Sequence, residues 1–143
     1  MNELDLDTLH TGIPALTPIR AGFHREACVW CLLECGHYNS VKMKVIEKPS
    51  SNLSSYKIVW NEHEIDKSAL YRAYNKNDGP EHGAVAIALL LIRERTDFTV
   101  VRRSVTHTGI DYWLGYKETV DNQLFKENAR LEVSGSLSNK SLR

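Results

Sequence analysis

Residues 84–92 (AVAIALLLI) are the longest apolar run in the chain, and they leave few ways for it to fold. The run is far short of the roughly 20 apolar residues a membrane helix needs. It belongs to a helical segment predicted from Glu81 to about Arg95, opened by Asp78 as a cap and by Pro80, a residue tolerated only in the first turn. A helix that is apolar nearly all round has to be buried. The remainder of the chain must therefore supply the layers that cover it.

Those layers read from local pattern. Residues 41–46 (VKMKVI) alternate strictly, as a half-buried strand does, and residues 56–60 (YKIVW) follow a turn-rich PSSNLSS stretch, so the two are expected to form an antiparallel hairpin. Upstream, Phe23, Ala27, Trp30 and Leu33 or Glu34 recur at steps of three and four, which predicts a helix from Ile19 to about Gly36. Residues 65–74 read as a short helix, and residues 98–105, 110–116 and 129–133 as three further strands. Helix, hairpin, two helices and three strands imply an α/β fold, α+β in its segregation, with a mixed β-sheet flanked by helices. Residues 1–17 are expected as a polar N-terminal leader, 18–135 as a single α/β domain and 136–143 as a polar tail. No internal repeat is present.

The chain has 143 residues, an ordinary size for one domain with its own core. Lys plus Arg and Asp plus Glu are each 18, so the net charge is zero and no whole-protein field draws the chain to nucleic acid or to an anionic membrane. Any nucleic-acid contact must be a local patch. Cys28, Cys31 and Cys35 are the only cysteines, an odd and clustered set that is no disulfide framework and points to a reducing compartment. The first residues are acidic and lack an apolar signal region. The expectation is a cytoplasmic protein with no membrane partner.

Three carboxylates stand out by position. Glu81 sits in the first turn of the buried helix on the face of Ala84, Val85 and Ala88. Asp111 projects to the same side of its strand as Trp113, and Glu132 to the same side as Arg130 and Ser134. Carboxylates on neighbouring strands, joined by one from the covering helix, can converge at a sheet edge, where a cation must neutralise them. One or two carboxylates with waters suit Mg²⁺, which there can polarise a phosphodiester and activate a water.

The phrases EHGA (81–84), GIDYWLG (109–115) and ARLEVSG (129–135) carry a resemblance. The run from about residue 80 to 135 resembles the core of the PD-(D/E)xK nuclease superfamily, the restriction-endonuclease-like fold, and is similar to a group of uncharacterised bacterial proteins associated with it. The resemblance implies Asp111 and Glu132 as ligands of Mg²⁺ or Mn²⁺, with Glu81 assisting, all three catalytic. It also implies a metal-dependent nuclease, or a nuclease-derived nucleic-acid-binding protein. Two departures qualify this. Ser134 stands where the family carries its catalytic lysine, leaving Lys117 or Lys126 to reach in from elsewhere. The family's fold continues beyond the Glu strand, so either this chain is shortened or its N-terminal hairpin completes the sheet.

Each signal has a plainer reading. Asp111 can cap a turn, Glu132 can pair with Arg130, Arg102 or Arg103 across strands, and Glu81 suits a helix N-terminus for its dipole alone. Arg102, Arg103, Arg130 and Ser134 are the candidate substrate contacts, through phosphate. Cys28, Cys31 and Cys35 with His24 and His37 invite zinc, but one helix cannot wrap an ion tetrahedrally, and core packing is the expected role. The alternative to a nuclease is a non-catalytic interaction protein that keeps the fold and binds a protein partner.

Overall fold

The computed structural model describes residues 1–104, 110–117, 127 and 129–137. The order is β1 (Asn2–Asp5), α1 (Pro18–Glu34), β2 (Val41–Glu47), β3 (Asn52–Val59), α2 (Lys67–Ala73), α3 (Gly79–Arg95), β4 (Phe98–Arg103), β5 (Ile110–Tyr116) and β6 (Ala129–Val133), with short 3-10 turns at Leu6–Thr8 and Glu62–Glu64. The fold is α+β, as expected. The single mixed sheet is not: the strands divide into a mixed sheet ordered β1-β3-β2 and an antiparallel sheet ordered β4-β5-β6. The hairpin β2–β3 thus completes its own sheet with β1 rather than extending that of β5 and β6. Sequence pattern locates strands but carries no signal for which sheet they join.

The helices form where expected, with one difference in how they start: Asp78 stands at the N-cap of α3 but its side chain makes no capping hydrogen bond, and Pro80 in the first turn is the start signal that holds. Thr17 caps α1 by accepting from the Arg20 amide at 3.2 Å, Pro18 opens it, and Gly36 in the left-handed region (φ 81°) turns the chain out after it. The two long helices pack on each other through the buried side chains Ala21, Ala27, Cys28 and Val29 of α1 and Val85, Ala86, Leu89 and Leu90 of α3. Gly83 sets their separation, since a Cβ there would stand 3.1 Å from both the Cys28 Cα and the Cys31 sulfur. Both sheets feed the same core. Leu4, Tyr56 and Ile58 enter from the first, and Val100, Tyr112, Leu114 and Val133 from the second.

The leader expected over residues 1–17 is instead part of that core. Asn2–Asp5 pairs parallel to β3, with Leu4 opposite Ile58. Leu4, Leu6, Leu9, Ile13 and Leu16 are each 6% exposed or less. The Arg93 guanidinium, at the end of α3, holds this segment by donating to the Thr8 carbonyl at 2.6 Å, the Thr11 carbonyl at 2.9 Å and the Thr8 hydroxyl at 2.8 Å. The Ala15 amide donates to the Val100 carbonyl at 3.1 Å. Strand β4 ends at Arg103, and the last residue of its expected range, Val105, lies outside the described residues. A bulge between Val100 and Arg102 lets Val100 and Val101 both be buried. From the expected tail, Leu137 packs against the core, and residues 138–143 lie outside the described residues.

Candidate functional site

Alternation and register put the expected site residues of β5 and β6 on one face. Asp111 stands directly opposite Glu132, and Trp113 opposite Arg130. Side chains at opposed positions share a face, so Asp111, Trp113, Arg130 and Glu132 form one patch while Tyr112, Leu114 and Val133 enter the core behind it. Asp111 is 4% exposed, whereas the Glu132 side chain is 74% exposed.

The group that fills the space between these carboxylates is Arg130. Its Nη2 lies 2.8 Å from Asp111 Oδ2, its Nε 3.9 Å from Glu132 Oε1, and its guanidinium sits 5.7 Å from the centre of the Trp113 ring. The contact with Asp111 is a charge-assisted hydrogen bond, and the ring adds a cation–π contact. Removing Arg130 would leave a buried carboxylate unpaired. Arg130→Met is therefore expected to destabilise the fold by about 1–2 kcal/mol, the buried-pair value discounted because the Arg130 side chain is 40% exposed. Asp111→Asn in the same chain should recover most of that loss, and a double-mutant cycle of urea midpoints measures it.

Glu81 lies half-buried in the first turn of α3. Among the described residues no group of three or more His, Cys, Asp or Glu side chains is placed to hold a metal ion. Glu81 is therefore not gathered with Asp111 and Glu132 into one ligand set, and Cys28, Cys31 and Cys35 are not gathered with His24 or His37. Burial pushes the Cys28 thiol up and the Cys31 thiol up to about 12, so both are neutral packing groups rather than thiolates. Lys117 donates to the Arg93 carbonyl from the far end of β5, roughly 20 Å of strand from Asp111. Lys126 lies outside the described residues.

Among the candidate substrate contacts, Arg102 pairs with Glu127. Arg103 and Ser134 are exposed. Ser134, Glu132 and Val133 line a shallow groove of about 460 Å³ with Ala84, Ile87, Ala88 and Leu91 of α3. Gly135 then presses against the first turn of α3, where a Cβ would meet the Ala84 Cβ at 2.7 Å and the Pro80 carbonyl carbon at 2.8 Å.

A second cluster lies between α1 and α3, where the sequence reading set His24 beside the cysteines and did not pair it with His82. His24 is wholly buried, its ring centre 5.3 Å from that of His82, and Phe23 meets the His82 ring edge-on at 4.5 Å. Neither ring nitrogen of His24, nor Nδ1 of His82, has a hydrogen-bond partner. Burial, reinforced by His82, Arg20 and Arg103, holds His24 down at about 4. His82 is also lowered, first by burial. The signal available in sequence was the four-residue step from Arg20 to His24, which stacks the two on one helix face.

Comparison with protein-family models, with curated proteins and with solved structures finds no match to this chain.

Proposed function

We propose that this chain is a nuclease-derived protein that binds a nucleic-acid backbone on its β5–β6 face without cleaving it. The observation that carries this reading is the Arg130 guanidinium 2.8 Å from the buried Asp111 carboxylate. A nuclease of this kind would use that carboxylate for a divalent cation. Here it already has a fixed counter-charge, and a Mg²⁺ ion at the same oxygen would face the guanidinium across a short, partly desolvated gap. Ser134 offers no amine for water activation, and Arg102 and Arg130, on the same face, are the cations a phosphate would engage, in competition with their partners Glu127 and Asp111. With only a few such cations, the expected affinity is modest and falls steeply with salt.

The competing reading is a metal-dependent nuclease, favoured by the register that sets Asp111 directly opposite Glu132. A melting titration with Mn²⁺ and Mg²⁺ separates them, run on the wild type beside Asp111→Ala and Glu132→Ala, with anisotropy of a labelled single- and double-stranded oligonucleotide in parallel. The binding reading expects no metal-specific rise in Tm, no cleavage, and oligonucleotide binding that weakens in Arg102→Ser/Arg130→Ser. A rise in Tm that both carboxylate variants lose would establish the metal site instead, because only a ligand of the native state stabilises it.

A further inference from the structure

Strand β6 ends the antiparallel sheet, and among the described residues no strand lies beyond it. Two hydrogen bonds fix which way its backbone groups point. The Asp111 carbonyl accepts from the Ser104 amide at 2.9 Å, and the Lys117 amide donates to the Asp97 carbonyl at 2.8 Å, so the odd-numbered positions along β5 turn to the β4 side. Directions alternate along an antiparallel ladder, so Tyr112 and Leu114 turn to their partners Leu131 and Ala129. That leaves the amides and carbonyls of Arg130 and Glu132 pointing out from the edge.

An open edge is a template for another strand, and proteins commonly blunt it. The far side of β4 is covered, since its Val100 carbonyl accepts from the Ala15 amide at 3.1 Å. Strand β2, at the edge of the other sheet, presents exposed Lys42 and Lys44, which repel a second copy of the same strand. Strand β6 has neither protection. Its exposed side chains are one cation and one anion, Arg130 and Glu132, two residues apart. Beside the edge, Ala84, Ile87, Ala88 and Leu91 of α3 line the open groove of about 460 Å³ with Glu132, Val133 and Ser134. Those four α3 residues follow steps of three and four on one helix face, and all are half-buried.

Charge identifies what fits this surface. Two copies of β6 placed antiparallel about a two-fold axis at Leu131 set each Arg130 opposite Glu132 of the other copy. The same register pairs outward-facing backbone groups with outward-facing ones. An axis at Arg130 or at Glu132 would instead set like charges against each other. The axis at Leu131 stands normal to the sheet, so both α3 helices lie on one face with their apolar stripes turned toward each other. Ala84 and Ala88 leave room for that approach. Such a patch is complementary to itself, as a two-fold interface requires.

We propose that this chain forms a two-fold dimer through β6 and the stripe of Ala84, Ile87, Ala88 and Leu91, joining the β4-β5-β6 sheets of two copies edge to edge. The Arg130–Asp111 bond stays within each copy. The dimer stands whether or not the β5–β6 face binds nucleic acid.

Sedimentation equilibrium over a concentration series is expected to show reversible monomer–dimer association of the wild type. Glu132→Lys should weaken it at least about tenfold, because two attractive cross-strand pairs become two repulsive ones. Ala88→Glu should weaken it as well, by placing an unpaired charge within the apolar stripe. Lys44→Glu on β2 should leave it unchanged. Thermal melts at dilutions where the wild type is monomeric check that each variant folds. Amide exchange followed by NMR locates the interface: the Arg130 and Glu132 amides should gain protection as concentration rises, while Leu131, bonded to β5, is protected throughout. A chain that stays monomeric at its highest soluble concentration overturns the proposal. Protected Arg130 and Glu132 amides in that monomer would mean that another segment of the same chain holds the edge. A dimer that survives both Glu132→Lys and Ala88→Glu, or that leaves those two amides exchanging freely, joins elsewhere and overturns it too.

Discussion

Gly135→Val is expected to lower the unfolding free energy by about 3 kcal/mol, the upper range for forcing extra carbon into a packed site, and the Tm by roughly 6–12 °C for a chain of this size. The Cβ of any side chain there would meet the Ala84 Cβ at 2.7 Å and the Pro80 carbonyl carbon at 2.8 Å, with the Pro80 oxygen closer still. Two of those atoms are backbone in the first turn of a buried helix, so rotamer changes cannot relieve the clash. The backbone of Gly135 is not in the left-handed region, so the effect is steric rather than conformational. Gly135→Ala should show most of the loss, and Ser134→Ala, one residue earlier and exposed, should show almost none. Thermal melts of the three variants check it. Equal stability of Gly135→Val and Ser134→Ala would mean that β6 does not dock on α3 as described. The consequence reaches the site, since the segment that Gly135 fixes is the exit of the strand carrying Arg130 and Glu132.

The second large effect comes from acid. His24 is held at about 4 in the folded protein against 6.5 for an exposed imidazole, with burial as the chief cause and His82, Arg20 and Arg103 adding repulsion. The unfolded chain therefore takes up a proton between those two values and the folded one does not. Stability from this residue is complete above pH 6.5 and is lost as the pH falls toward 4. The loss should be about 2 kcal/mol between pH 7 and 5, approaching about 3 kcal/mol below pH 4. His82, also lowered, adds to it in the same direction. Urea midpoints from pH 7 to 5 measure the slope. His24→Leu should flatten most of it and leave stability at pH 7 unchanged or higher, because the imidazole it removes has two unpartnered nitrogens. An unchanged slope in His24→Leu would place the acid-sensitive group elsewhere.

The candidate site was legible to an uneven degree. Period-two alternation in residues 110–116 and 129–133 was enough to place Asp111 with Trp113 and Glu132 with Arg130, and β5–β6 pairing makes those two sets one face. Even the possibility that Glu132 pairs with Arg130 was readable. That Arg130 takes the buried Asp111 as its close partner, and Glu132 only at 3.9 Å, was not. The diagonal contact depends on strand register and on the rotamer of a long side chain over the Trp113 ring. Neither leaves a mark on spacing.

What the sequence by itself determined are the elements whose pattern repeats within a few residues. These are the apolar helix α3 with its proline start, the α1 stripe, the hairpin β2–β3 and the alternating strands β5 and β6. Helical and strand periods are properties of a short stretch, because each is set by backbone geometry and by which side chains share a face. Tertiary structure alone decided the parallel pairing of β1 with β3 across more than fifty residues, the division of the six strands among the described residues into two sheets, and the burial of Leu4, Leu6, Leu9, Ile13 and Leu16. It alone also set His24 against His82. Those five apolar residues follow no single period, so their common burial is specified by the surface that covers them. That surface is built by α3, β3 and β4, and contacts between segments so far apart are chosen by the packing of the whole core.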